Sequence, residues 1–171
     1  MIKMNKTYEV CFDLETTGLN PLEDRIIAIG IKLEDEEVVL TYNDEKQIIK
    51  EFWNYLRKFN DFKLIGFNSA EFDIPFLIIR SLRYKIPIVK ITRYNSIDLK
   101  LTLSNGFRYK KGKLEEFSKL INYKTKYNGY KGKHIPLLWD NKQIAELIEY
   151  VMQDAKMTFA LFQRLKEIGA I

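Results

Sequence analysis

Short apolar runs broken by polar turns open the chain. Tyr8 to Thr16 alternates in the manner of a strand, and Thr16-Thr17-Gly18 ends it in a turn. Pro21 to Asp24 reads as a further turn, Arg25 to Leu33 as a strong strand, Glu34 to Glu37 as the next turn and Val38 to Tyr42 as a third strand. The opening is therefore an antiparallel meander. Asn43 or Asp44 can cap a helix running to about Phe59, because Ile48, Ile49, Phe52, Trp53, Leu56 and Phe59 recur at helical spacing. Lys63 to Phe67 is a short apolar strand, expected parallel to the first across that helix.

The period then changes. Pro75 suits the first turn of a helix that continues through Ile78, Ile79 and Leu82, which puts Asp73 at its N-terminus, where an Asp commonly caps. Pro87 to Ile91 reads as a strand, and Ser96 or Asp98 as the cap of a short helix, so Asp98 is given a structural role. Leu114, Phe117, Leu120 and Ile121 mark another short helix. The longest pattern runs from Asn141 to Ile168, where Ile144, Leu147, Ile148, Val151, Ala155, Thr158, Phe159, Phe162 and Leu165 form one stripe. These elements predict an α/β fold, a mixed central sheet with an antiparallel meander flanked by helices. With 171 residues, one domain over 1–171 is expected.

Composition narrows the setting. No apolar run approaches the roughly 18 residues of a membrane span, and the N-terminus lacks a secretory core, so a cytoplasmic, intracellular protein without membrane partners is expected. The one cysteine, Cys11, sits in the first strand as a small buried hydrophobe, and the single histidine, His134, leaves any metal to oxygen ligands. Residues 108–133 hold nine Lys or Arg against two Glu, a local +7 in a chain of +5. Tyr109, Tyr123, Tyr127 and Tyr130 lie among those charges, a mixture that suits a phosphate backbone with unstacked bases and also suits a solvated face.

Two positions carry acids that a bland reading leaves costly. Asp13 and Glu15 point to one face of the first strand, and two like charges side by side need a shared proton or a divalent cation unless both are solvated. Asp154 falls at the edge of the last helix's apolar stripe with Tyr150 one turn before it, and Lys156 lies on the other side.

Together, Phe12-Asp13-Leu14-Glu15-Thr16-Thr17-Gly18-Leu19, then Asn68 with Phe72-Asp73-Ile74-Pro75, then Tyr150 with Asp154 resemble the three ordered motifs of the DEDD 3′–5′ exonuclease superfamily, which has a ribonuclease H-like fold. Tyr150 four residues before Asp154 is similar to the tyrosine subclass (DEDDy), and Leu137-Leu138-Trp139 to stand-alone relatives of the proofreading domain of family B DNA polymerases. The resemblance implies that Asp13, Glu15, Asp73 and Asp154 hold two divalent cations, Mg²⁺ or Mn²⁺, and that Tyr150 orients the attacking water. It also implies that Thr16, Thr17, Gly18, Leu19, Asn68 and Phe72 bind the terminal nucleotide, while Lys110, Lys111 and Lys113 are candidates for the phosphate backbone. The implied activity is sequence-independent release of nucleoside monophosphates from single-stranded 3′ ends, DNA favoured, alone or with a separate polymerase or repair complex. An RNA-processing exoribonuclease and a non-catalytic nucleic-acid-binding module remain the alternatives.

Overall fold

Strand β1 (Tyr8–Thr16) lies at the centre of a five-stranded sheet in the computed structural model, which describes residues 6–106, 111–124 and 130–171. Strands β2 (Ile26–Lys32) and β3 (Glu37–Leu40) follow it as the antiparallel meander, while β4 (Phe62–Gly66) and β5 (Ser96–Asp98) add on its other side in parallel, giving the order β3-β2-β1-β4-β5. The mixed sheet with helices on both faces is the α/β, ribonuclease H-like arrangement expected.

Two helices fill one face. Helix α1 (Glu45–Leu56) is capped by Asp44, whose side chain accepts the Lys46 N–H, and it ends three residues before Phe59. Helix α2 (Asp73–Tyr84) follows β4. Val10, Phe12 and Leu14 of β1 pack there with Ile29, Ile31, Phe52, Trp53 and Phe76. Each such large side chain contributes about 1.5–3 kcal/mol by leaving water. A buried ion pair joins the layers: Arg80 donates to both carboxylate oxygens of Glu45, and Glu45 also accepts the Ile26 N–H and the Tyr84 hydroxyl. Arg80 Nη1 reaches the Pro21 carbonyl, so this pair anchors the turn after β1.

The opposite face is covered by the 24-residue helix α6 (Ile144–Glu167). Its N-terminal half packs Leu147 and Val151 on Ile27 and Ala28, and its C-terminal half packs Leu161, Phe162 and Leu165 on Cys11 and Ile65. Helix α3 (Leu99–Leu103), helix α4 (Leu114–Leu120) and helix α5 (Ile135–Asp140) flank it, with a 3₁₀ turn over Gly132–His134 leading into α5. Among the described residues no helix is long and apolar enough to cross a membrane.

Four details differ from the sequence reading. Residues 87–91 form no strand; Val89 and Ile91 lie half-buried against the first core, and the ladder beside β4 is made by Ser96–Asp98 instead. The last helix is a single helix as expected but starts at Ile144 instead of Asn141, because Lys142 adopts a left-handed backbone (φ 59°) between α5 and α6. Asp73 is the first helical residue of α2, and the cap position falls on Phe72, which makes no side-chain capping bond. Leu120 is exposed, whereas Leu114, Phe117 and Ile121 pack.

Candidate active site

Period-two alternation divides β1 between the two layers: Val10, Phe12 and Leu14 enter the α1–α2 core, while Cys11, Asp13 and Glu15 face α6. Parallel pairing with β4 ends at Cys11 opposite Ile65, so the two acids stand on the part of β1 that outruns its neighbour, at the carboxyl end of a parallel pair. Across the antiparallel pair, Asp13 is opposite Gly30 and Glu15 is opposite Ala28. A bulge between Glu15 and Thr16 ends the regular register there.

Helix α6 brings the third acid. Val151 and Ala155 are fully buried, which turns the intervening Asp154 toward β1, and one oxygen each of Asp13, Glu15 and Asp154 lie within 4.8 Å of one another. Asp73, buried at the start of α2, stands beside this trio and not within it. Tyr150 is buried one turn before Asp154.

The electrostatics follow from this crowding. Burial, then the charges of Asp154, Glu15 and Asp73, hold the Asp13 carboxyl well above the usual carboxylate range. Glu15 is raised by burial and by Asp154 and Asp73. Asp73 is pushed up to about 7 by burial, with Asp98 and Asp154 adding to it against the pull of the Asp73 and Leu14 backbone N–H groups. Tyr150 is raised by burial and by Asp154, Glu15, Asp13 and Glu115, so its hydroxyl keeps its proton at neutral pH. Two full charges no farther apart than 4.8 Å repel by ~3 kcal/mol or more at an effective dielectric of about 20. An all-oxygen donor set under such repulsion fits a hard divalent cation, which takes carboxylate ligands and cancels the charge.

The surrounding residues are already engaged in shaping the site. Thr16 Oγ1 donates to the Gly18 carbonyl at 2.6 Å, and Thr17 Oγ1 donates to Asp24 and accepts the Arg25 N–H. Gly18 does not take a positive φ; a Cβ there would meet the Asp24 carboxylate at 2.4 Å. Leu19 projects from this turn, 82 % exposed, and Phe72 rests half-buried on Phe76. Asn68 adopts a left-handed backbone (φ 63°), and its Oδ1 is buried without a hydrogen-bond partner among the described residues.

Asp98 does more than cap α3. Besides the Lys100 and Leu101 N–H groups it accepts those of Asn68 and Ala70, both at 3.0 Å, which ties the loop before Asp73 to β5. The cap was legible in the sequence, but the link across some thirty residues had no local signal. A cavity beside Tyr150 and Asp154 is lined also by Lys113, Glu115, Lys131 and Gly132. Glu115 and Lys131 went unsingled because each is one charge in a charged run. Lys111 and Lys113 are exposed at the start of α4, and Lys110 lies outside the described residues, as do Tyr109 and Tyr127.

Comparison with known proteins agrees with this arrangement. Residues 23–170 match the model of a family described as a predicted 3′–5′ exonuclease related to the exonuclease domain of PolB, a match that begins after β1. The chain is 34 % identical over 169 residues to the uncharacterized protein MJ0365 of Methanocaldococcus jannaschii, covering 93 % of this chain and 96 % of that one. It is 26 % identical over 171 residues to a DNA polymerase of Archaeoglobus fulgidus, covering 91 % of this chain and 22 % of the polymerase. The family B DNA polymerase of the hyperthermophilic archaeon Pyrobaculum calidifontis shares the fold, with a TM-score of 0.78 at 20 % identity over 94 % of this chain and 25 % of that one. The chain thus spans about a quarter or less of either polymerase.

Proposed function

The chain belongs to the family of predicted 3′–5′ exonucleases related to the exonuclease domain of PolB, and from that membership we propose a single exonuclease domain of the tyrosine (DEDDy) type that removes nucleotides from single-stranded 3′ ends, DNA favoured. The observation that carries the reading is the convergence of Asp13, Glu15 and Asp154 within 4.8 Å, with Tyr150 one turn along α6. Asp13, Glu15, Asp154 and the adjacent Asp73 would hold two divalent cations, Mg²⁺ or Mn²⁺. When bound, such ions supply a nucleophilic water at neutral pH and Lewis-acid stabilisation of the leaving oxygen.

The chain's own residues do the positioning. Tyr150, protonated, offers a hydrogen bond that holds the attacking water; with its pKa raised it does not serve as a base. Water oxygen bonds to phosphorus as the bond to the 3′ oxygen breaks, releasing a nucleoside monophosphate and a new 3′ hydroxyl. The rigid turn at Thr16, Thr17 and Gly18, with Leu19 projecting from it and Asn68 and Phe72 nearby, binds the terminal nucleotide. Lys111 and Lys113 hold the phosphates behind it, and Lys110 shares that role in the proposal. None of these contacts reads a base edge, so cleavage is independent of sequence. The protein works inside the cell, alone or in trans with a polymerase or repair complex.

A time course on 5′-labelled single-stranded DNA and RNA, with Mg²⁺, Mn²⁺ or chelator, tests this. The expected result is a shortening ladder from a free 3′ end with either metal, faster on DNA, and none in chelator. Digestion of a 3′-blocked strand, or unchanged digestion in excess chelator, would overturn it. Faster digestion of RNA would assign the exoribonuclease alternative.

A further inference from the structure

Gly30 sits on β2 directly opposite Asp13, on the face that α6 covers. A Cβ built on Gly30 would lie 2.5 Å from the Val151 carbonyl oxygen, 3.0 Å from the Val151 carbonyl carbon and 3.2 Å from Val151 Cγ2. The nearest obstacle is helix backbone, which cannot rotate away as a side chain would. With any side chain at 30, α6 would have to retreat by about 0.5–0.9 Å to reach ordinary contact. Val151 is less than one turn before Asp154, and Gly30 is laterally adjacent to Asp13, so the retreat would act on the gap between Asp13 and Asp154. Small divalent ions demand ligand distances within about 0.2 Å of ideal.

We propose that Gly30 is a positioning residue for the carboxylate site: by having no side chain it sets the depth at which α6 docks, and so the reach of Asp154 to Asp13 and Glu15. The proposal rests on the reading of those acids as cation ligands, and it adds a residue that touches neither cation nor substrate. The bulge between Glu15 and Thr16 belongs to the same design, since it places both Ile27 and Ala28 against the α6 side of the sheet and leaves Gly30 as the gap between Ala28 and Lys32.

Mn²⁺ alone, titrated calorimetrically into metal-stripped protein, is the probe, with the thermal melt measured in chelator alongside. Gly30→Ala should stay folded and need about 10–100-fold more Mn²⁺ for half-saturation, as for other losses of ligand support. Val151→Ala trims the same contact from the side-chain side without lifting the helix; it should melt lower yet bind Mn²⁺ as the wild type does. Asp154→Glu weakens binding in the native chain but should recover part of it in the Gly30→Ala background, because the longer side chain spans the added distance. Gly30→Ala binding Mn²⁺ as tightly as the wild type, or losing it with no recovery from Asp154→Glu, would overturn the proposal while leaving the exonuclease reading intact. A wild type that binds no Mn²⁺ would overturn both. Should Gly30→Ala fail to fold, Val151→Ile adds volume at the same contact from the helix side and should raise the Mn²⁺ requirement in the same direction; unchanged affinity there would equally count against it.

Discussion

Asp98 accepts the backbone N–H of Asn68 at 3.0 Å, joining the end of β5 to the loop that leads into Asp73. The same carboxylate takes three more backbone N–H groups, from Ala70, Lys100 and Leu101. One buried acid therefore shapes two loops at the carboxyl ends of β4 and β5, and its charge raises the pKa of Asp73. Asp98→Asn keeps the shape and removes the charge and half of the accepting capacity. Unfolding by denaturant should show a loss of about 2–4 kcal/mol, the sum expected for a helix cap and charge-assisted hydrogen bonds. A change below about 0.5 kcal/mol would mean that the Asn68 loop holds itself.

Tyr150 and Asp13 should part company on mutation. Tyr150→Phe removes one hydrogen bond to the attacking water and keeps the buried ring, so turnover should fall by about 10²-fold with Mn²⁺ binding retained. Asp13→Ala should lose far more, together with metal affinity. Because the hydroxyl keeps its proton, the rate should show no alkaline limb that Tyr150→Phe abolishes. Equal losses in the two variants, with equal loss of Mn²⁺ binding, would make Tyr150 a structural support.

The carboxylates also predict a pH dependence of stability. Asp13, Glu15 and Asp73 have raised folded-state pKa values, so each favours folding most below its unfolded pKa of about 4 and gives up that stability as pH rises through the folded value, about 7 for Asp73. Metal-free protein should melt lower at pH 8 than near pH 5 as far as these groups decide it. Asp154→Asn removes one of the repelling charges and should melt higher than the wild type in chelator at pH 8, while Mg²⁺ or Mn²⁺ should stabilise the wild type and the variant much less. Scanning fluorimetry on both proteins reads all of this. A variant that melts well below the wild type in chelator would show Asp154 to be a satisfied structural acid.

Lys111, Lys113 and Lys131 give a prediction in salt. If they contact phosphates, removing each charge should flatten the dependence of log affinity on log salt by about 0.7 for a single strand and leave turnover at saturation nearly unchanged. A triple variant with the wild-type slope would leave this segment as a solvated face.

The parts of the site that were legible in the sequence are those governed by local periodicity. Asp13 and Glu15 share a face because strands repeat every two residues, and Asp154 comes inward because its neighbours Val151 and Ala155 must be buried. Contacts between distant segments left no such trace. The Glu45–Arg80 pair and the Asp98 clamp each join residues some thirty positions apart, and the closeness of Gly30 to Val151 depends on how a helix settles on a sheet. Residues 87–91 misled because Val89 and Ile91 are apolar for covering the edge of the core, a role that needs no ladder. The packing around Gly18 left no trace either: the space beside it is filled by Asp24, six residues on.

Helix α6 follows every strand of the sheet in the sequence, and this sets the order in which the site's acids are synthesised. The strands carrying Asp13 and Glu15 and the helix carrying Asp73 emerge from the ribosome long before residues 144–167, and β1 can pair with β2 and β4 while Asp154 is still unmade. Until α6 docks, Cys11, Ile65 and Ala28 are bare on one face of the sheet and the trio of acids lacks a member. The helix that closes the core is thus also the helix that completes the cluster of acids.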